Sequence, residues 1–429
     1  MLEIQERTIE KKGYTLHIVN SKKFKTVHLT AKFRAPLNRQ DVTKRALLPF
    51  VLQQGTERYP TANAFRQALD QLYGAVMSMD GTKKGEEHIL TARMTVANQA
   101  YLTTTQNILS EALAFFREVL FHPKVVNGSF DPKIVEREKQ TLRQKIAAIV
   151  DDKMHYANIR MIDEMCQDEP YHLHVHGYPE DLTEITAKDL FNYYQSSIQT
   201  DDMELYLLGD FETIDIEALI GQQFDRDNTT EPVKSIAVSD KTIDQEKEIV
   251  EQQEVQQGKL HFGYRTYTKF ADQDYPALQV FNAIFGGFPS SKLFINVREK
   301  NSLAYYAASR FESHKGLLFV FSGIAPADFD QAKTIILQQM DAMRAGDFTE
   351  AELAEAKKLI INQYKETLDD PFGMIEVLYN QRVAQTQRTV AEFIEAIDRV
   401  DHQAVVKMAN KIKLDTTYFL TAKEGQAHA

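Results

Sequence analysis

The strongest chemical pair in this sequence is two side chains seven residues apart, Arg298 and Tyr305. An arginine offers a planar fork of donors and a tyrosine a phenolic hydroxyl. Both donors could be aimed at one peptide carbonyl. On one continuous helix a seven-residue spacing is two turns, which puts both on one face. If the helix stops near Asn301-Ser302, Tyr305 instead opens the next strand. Gly286-Gly287, shortly before, allow a close backbone approach. The same spacing also fits a surface arginine and a packing tyrosine.

Other candidates are poorer. A catalytic zinc site takes about three protein ligands and one open position, and helical sites place two histidines at HExxH or HxxEH spacing. Neither motif occurs here. The nearest histidine cluster is His172, His174 and His176 in "YHLHVHG", which would share a face in a strand. It sits between "DEP" and Gly177-Tyr178-Pro179, however, which reads as a loop, and no carboxylate stands at motif spacing to act as base. Glu136, in the run "EREK", belongs to a solvated helix face on its charge pattern alone. Cys166 is the single cysteine and has no histidine in a recognisable relation to it, so it reads as a small packed residue. "FGGFPSSK" follows a helix and not a strand, which argues against a phosphate loop.

These groups need a scaffold, and the composition provides one. The chain has 429 residues, 43% hydrophobic and 26% charged, enough for two globular domains. Its net charge of −11 argues against nucleic-acid or anionic-membrane binding. No apolar stretch approaches the roughly 20 residues of a spanning helix. The opening "MLEIQERTIEKKGYTLHIV" reads as an edge strand and not a signal peptide. With one cysteine and no membrane segment, a cytoplasmic protein is expected.

The chain also repeats itself. Ala46, Leu47, Phe50 and Gly55 match Ala277, Leu278, Phe281 and Gly286 at one constant spacing. The same spacing pairs Phe33-Arg34 with Tyr264-Arg265, Leu72 with Leu303, and Lys84-Gly85 with Lys315-Gly316. Further along, "FDPKIVEREKQTLRQKIAAIVDD" matches "FTEAELAEAKKLIINQYKETLDD", ending in Asp151-Asp152 and Asp369-Asp370. One domain type used twice explains this, over residues 1–225 and 255–429, with 226–254 as a polar linker plus an edge strand. Each half runs strand, helix ending at glycine, second helix, two strands, then long amphipathic helices. Strands early and helices late predict an α+β fold.

Four segments together, over nearly the whole chain, resemble the pitrilysin/insulinase family of zinc peptidases with the inverted HxxEH motif. "QQGTERYPTANAF" resembles the end of the zinc-motif helix, and "VEREK" the helix that brings the third ligand. "GYPEDLTEITAKDLFNYY" resembles the close of the first domain, and "GGFPSSKLFINVREKNSLAYY" the second-domain signature. The resemblance implies two tandem α+β domains of the insulinase/mitochondrial-processing-peptidase type forming a half-shell.

Residue by residue it carries over unevenly. The two histidine ligands fall on Ala46 and Phe50, and the catalytic Glu on Pro49. Glu136 matches the third ligand, as a vestige, and Ser129 stands where a supporting Glu is usual. Arg298 and Tyr305 match the substrate-binding pair, beside the Gly286-Gly287 loop. The resemblance therefore implies a bacterial, non-catalytic subunit without zinc of its own. Zinc would sit on an HxxEH-bearing paralogous partner that shares a peptide substrate with this chain, and a homodimer stays open where that partner is absent. The other reading is a catalytically silent peptide-binding or assembly protein. Some bacterial relatives carry names tied to modification of translation elongation factor P, which that role would accommodate.

Overall fold

The computed structural model describes residues 3–227 and 241–423. Within the expected 226–254 linker, residues 228–240 lie outside the described residues. Two mixed sheets dominate. The first contains β1 (Gln5–Lys11), β2 (Tyr14–Asn20), β3 (Thr26–Pro36), β4 (Val76–Lys84), β5 (Glu87–Ala97) and β6 (Asp202–Gly209), in the order β1-β2-β6-β3-β5-β4. The second contains β7 (Lys247–Gln253), β8 (Gly258–Arg265), β9 (Ala304–Glu312), β10 (Leu317–Ile324) and β11 (Lys413–Ala422), in the order β7-β11-β8-β10-β9.

Laid side by side, the sheets match strand for strand. The pairs β2·β6 and β7·β11 are parallel, and the remaining shared pairs are antiparallel. Only β1 has no counterpart among the described residues, and it forms the edge strand expected from the opening residues. Local pattern puts the strands of each half early in the chain. In fact the last strand of each half, β6 or β11, returns to the middle of its sheet. The architecture is α+β, as expected.

The period-2 pattern of β3 sorts its side chains. Val27, Leu29, Ala31 and Phe33 enter the first core, while His28, Thr30, Lys32 and Arg34 point to the opposite face. That polar face is buried too, which alternation alone would not suggest. The cover comes from the other half of the chain. Helices α1 (Val42–Leu52), α2 (Pro132–Ala147) and α3 (Lys153–Met165) belong to the first half, and α4 (Tyr275–Asn282), α5 (Glu350–Asp369) and α6 (Pro371–Val383) to the second. From α6, Met374, Ile375, Leu378 and Tyr379 pack on Val19, Ile89, Tyr206 and Leu208 of the first sheet. Conversely, Ala157, Met161, Ile162 and Met165 of α3 pack on Leu317, Phe319, Tyr418 and Leu420 of the second. Gly263 makes room for this: a Cβ there would meet the Met165 sulfur at 2.6 Å. The two exchanged helices follow the repeat-matched Asp-Asp pairs, and Asp152 and Asp370 cap them.

Buried charge ties the junction. Arg265 on β8 donates to Asp415 (2.9 Å) and, across the halves, to both oxygens of Glu169 (2.6 and 3.0 Å). Lys315 reaches Glu169 and Glu86, each at 2.5 Å. Burial would raise the Glu169 pKa, but hydrogen bonds from Arg265 and Lys315 outweigh it and pull it down to about 2. On the other sheet, Glu376 of α6 takes Lys32 at 2.7 Å and Lys84 at 2.8 Å. The repeat-matched lysines Lys84 and Lys315 thus each grip a carboxylate of the opposite half. No helix among the described residues is long and apolar enough to cross a membrane.

Candidate functional site

Helix α1 carries the degenerate positions Ala46, Pro49 and Phe50 on which the family's HxxEH motif falls. It ends at Leu52, before Gly55, with Pro49 inside it. Ala46 and Pro49 are buried, and Leu47 and Leu48 beside them are fully enclosed. A proline within a helix removes one backbone donor, so the position is now shaped by packing. Arg45 anchors the helix from below: it donates to Asp201 at 2.6 Å and to the Phe33 carbonyl at 2.7 Å. Phe50 is not packed as its repeat-matched Phe281 is. Phe281 is fully buried and stacks on Phe285 at 5.3 Å. Phe50 is only partly buried, with the Lys145 ammonium 5.6 Å from its ring centroid.

Glu136 lies on α2, which packs against α1. Its carboxylate is 61% exposed and pairs along its own helix, with Lys139 at 3.2 Å and Gln140 at 3.0 Å. The rest of "EREK" corrects the solvated-face reading. Glu138 and Lys139 are buried, with Lys139 donating to the Ile185 carbonyl and Arg137 bridging Glu138 to Gln54. Ser129 sits in a short hairpin and donates to the Phe130 and Val126 carbonyls.

The histidine trio is a turn and not a strand face. His172 contacts the Glu169 carbonyl at 2.7 Å, and His174 meets Asp163 at 2.8 Å while stacking on Tyr178. Burial, with Lys145 nearby, lowers the His176 pKa to about 4, so it is neutral. Each ring has its own surroundings, and among the described residues no three His, Cys, Asp or Glu side chains gather as a metal site. Cys166 is fully buried, which pushes its thiol up to about 12 despite Arg265 nearby, so it is not a nucleophile at neutral pH.

Arg298 and Tyr305 are differently placed. After α4 the backbone widens into two single π turns, Ala283–Gly287 and Phe294–Glu299. Insertions of this kind are frequent at functional sites. Gly286 is confined: a Cβ would meet Ser309 Oγ at 2.5 Å and Leu293 at 2.6 Å. Gly287 similarly faces Asn282 at 2.7 Å. Gly286 is thus confined by the residues that follow the loop and Gly287 by the helix that leads into it. The helix then stops, Ser302 turns through φ +53°, and β9 begins at Ala304. Of the two geometries open from spacing, the strand-mouth arrangement is the one found. Tyr305 is 77% exposed. Arg298 is exposed too, with Glu299 at 3.7 Å as its ion-pair neighbour and its guanidinium 4.6 Å from the Phe294 ring centroid. Phe294 was not singled out from sequence, although its place four residues before an arginine on a helical segment signals such a stack.

The chain is similar to known proteins over nearly its whole length. A family model described as the peptidase M16 inactive domain matches residues 184–360. The chain is 47% identical, over 96% of its length and 97% of the relative's, to the probable inactive metalloprotease YmfF of Bacillus subtilis. It is 22% identical, over 70% of its length and 72% of the relative's, to the uncharacterised zinc protease YmxG of the same organism. A solved structure of a conserved protein from Enterococcus faecalis superposes with a TM-score of 0.89 at 32% identity, covering 97% of this chain and 99% of that one.

Proposed function

The chain belongs to the M16 (pitrilysin/insulinase) metallopeptidase family as an inactive homologue, and we propose that it is the substrate-binding subunit of a two-chain zinc peptidase. In this reading residues 1–225 and 255–429 are two domains of one half-shell, joined by 226–254. A paralogous subunit bearing HxxEH brings the zinc and the activated water. This chain brings Arg298 and Tyr305, whose donors meet the peptide carbonyl as charge develops on it.

One observation carries the reading. The first-ligand and base positions, Ala46 and Pro49, are closed into the core and the second-ligand position holds a partly buried phenylalanine, Phe50, while Arg298 and Tyr305 stay open to solvent beside a π turn. An abandoned site would be expected to lose both halves of its chemistry. The existence of both inactive and zinc-protease relatives in Bacillus subtilis supports a paralogous partner. The single buried Cys166 is consistent with a cytoplasmic setting.

The test is reconstitution. The purified chain should hold no stoichiometric zinc and leave casein intact. A complex with the zinc-bearing paralogue should cleave casein, and Arg298→Ala or Tyr305→Phe should lower its kcat. Chelator-sensitive hydrolysis by the chain alone would overturn the proposal. Full activity of the complex carrying both substitutions would favour the assembly role instead.

A further inference from the structure

Phe294 is a large apolar side chain that belongs to neither hydrophobic core, and it is only half-buried in its π turn. Its ring lies under the Arg298 guanidinium, 4.6 Å from centroid to Cζ. The π turn that brings the two together is fixed at several points. Lys300 N donates back to the Ile295 carbonyl at 2.9 Å, the five-residue closure of a π turn. Asn296 donates to Gln339 at 2.7 Å, which pins the turn to the helix Phe329–Ala345. Asn301 caps it by donating to the Asn296 carbonyl at 2.6 Å.

A guanidinium can be steadied by a carboxylate or by an aromatic face. A carboxylate consumes the edge donors that a substrate would use. A ring attracts the cation through its π face and leaves the in-plane N–H groups free. Glu299 is too far, at 3.7 Å from Nε, to occupy those donors by hydrogen bonding. The immobilising contact is therefore the one that costs no donors.

We infer that Phe294 is a positioning residue: its ring is the platform that presents the Arg298 fork to an oxygen of an extended peptide. This rests on the proposed role of Arg298 as a substrate donor. Replacing the ring by an aliphatic group of similar size should cost about two- to fivefold in whatever Arg298 does, the range of an exposed cation–π contact.

Two experiments test it. The chain contains no tryptophan, so Phe294→Trp places a single indole beside Arg298. In the purified chain, adding Arg298→Ala to that variant should shift the indole emission. Unchanged emission would show that ring and guanidinium do not stack in solution and would overturn the inference. In the complex with the zinc-bearing paralogue, hydrolysis of fluorescein-labelled casein provides the second readout. Phe294→Leu should lower kcat/KM two- to fivefold, Phe294→Tyr should restore it, and Phe294→Leu should add nothing in an Arg298→Ala background. A loss that multiplies in that background, or no loss at all beside a clear Arg298→Ala defect, would overturn the platform while sparing the proposed function. No defect from Arg298→Ala would overturn both.

Discussion

Helices α1 and α4 descend from one pattern and have been finished differently. On α4, Ala277, Val280 and Phe281 are all buried, and Phe281 is wrapped in aromatic and aliphatic contacts. On α1, Ala46 and Pro49 are equally enclosed, yet Phe50 stays half in solvent beneath Lys145. Losing the ligands removed the chemistry without fully converting the site to core. The contrast teaches that two helices of similar pattern can differ in what they hold up: α4 carries its domain, whereas the Phe50 end of α1 still borders open space.

That contrast can be broken most sharply by deletion. Phe281→Ala should destabilise the protein by about 3–5 kcal/mol, the range for emptying a buried aromatic site. Phe50→Ala should cost roughly 1 kcal/mol, as expected of a partly solvated ring. Urea denaturation of the two variants measures both, and equal midpoints would refute the distinction.

Next come the repeat-matched arginines. Arg265 neutralises Asp415 and the opposite half's Glu169, while Arg34 serves Asp202 within its own sheet, at 2.5 Å. Arg265→Met should cost about 3–5 kcal/mol by leaving buried carboxylates unpaired. Arg34→Met should cost less, and hydrogen exchange should show α3 loosening only in the former.

The pH response sharpens the same comparison of junctions. His17 faces Glu6 at 2.7 Å and Glu204 at 2.6 Å, and Arg382 of α6 also reaches Glu204 at 2.6 Å. Burial opposes protonation of His17, but bonds to Glu204 and Glu6 prevail and raise its pKa above 6.5. Its stabilising contribution is complete below about pH 6.5 and fades as pH rises through the raised value. Glu169 and Glu376, each held near pKa 2, act oppositely: their contribution is complete above the ordinary carboxylate range and is lost as pH falls toward 2. His17→Gln should therefore flatten the alkaline side of a stability–pH curve and leave the acid side unchanged. A symmetric change would contradict this assignment.

The smallest effect belongs to Glu136. Its side chain is 61% exposed, and Glu136→Ala should change stability by no more than about 0.5 kcal/mol. Glu138→Ala, two residues further on and buried, should cost more. The reverse order in thermal unfolding would mean that the former ligand position still has structural work.

Much of this was legible beforehand. The coincidences Phe33-Arg34 with Tyr264-Arg265 and Lys84-Gly85 with Lys315-Gly316 announced a duplication, and the matched sheets display it. Their reason was hidden, because the partners Asp202, Glu376, Glu169 and Asp415 stand far away in sequence. The pattern promised long amphipathic helices at the close of each half, but nothing in it says that α3 and α6 pack on the opposite half's sheet. The return of β6 and β11 to mid-sheet escaped notice for a related reason. Pairing is a long-range choice that a local pattern does not encode. Arg298 and Tyr305 could be singled out by residue type and spacing, while Phe294 looked like one apolar residue among many.

The exchange of α3 and α6 has a consequence for heredity. A frameshift or stop codon just before residue 371 strips α6 from the chain. It thereby uncovers a sheet whose strands were all encoded before residue 210. Damage late in the reading frame is thus damage to the early domain. Recombination that swapped one half for a distant cousin's would have to bring along a matching helix for the neighbour. Two halves built on one sheet plan are thus each completed by a helix that the other supplies.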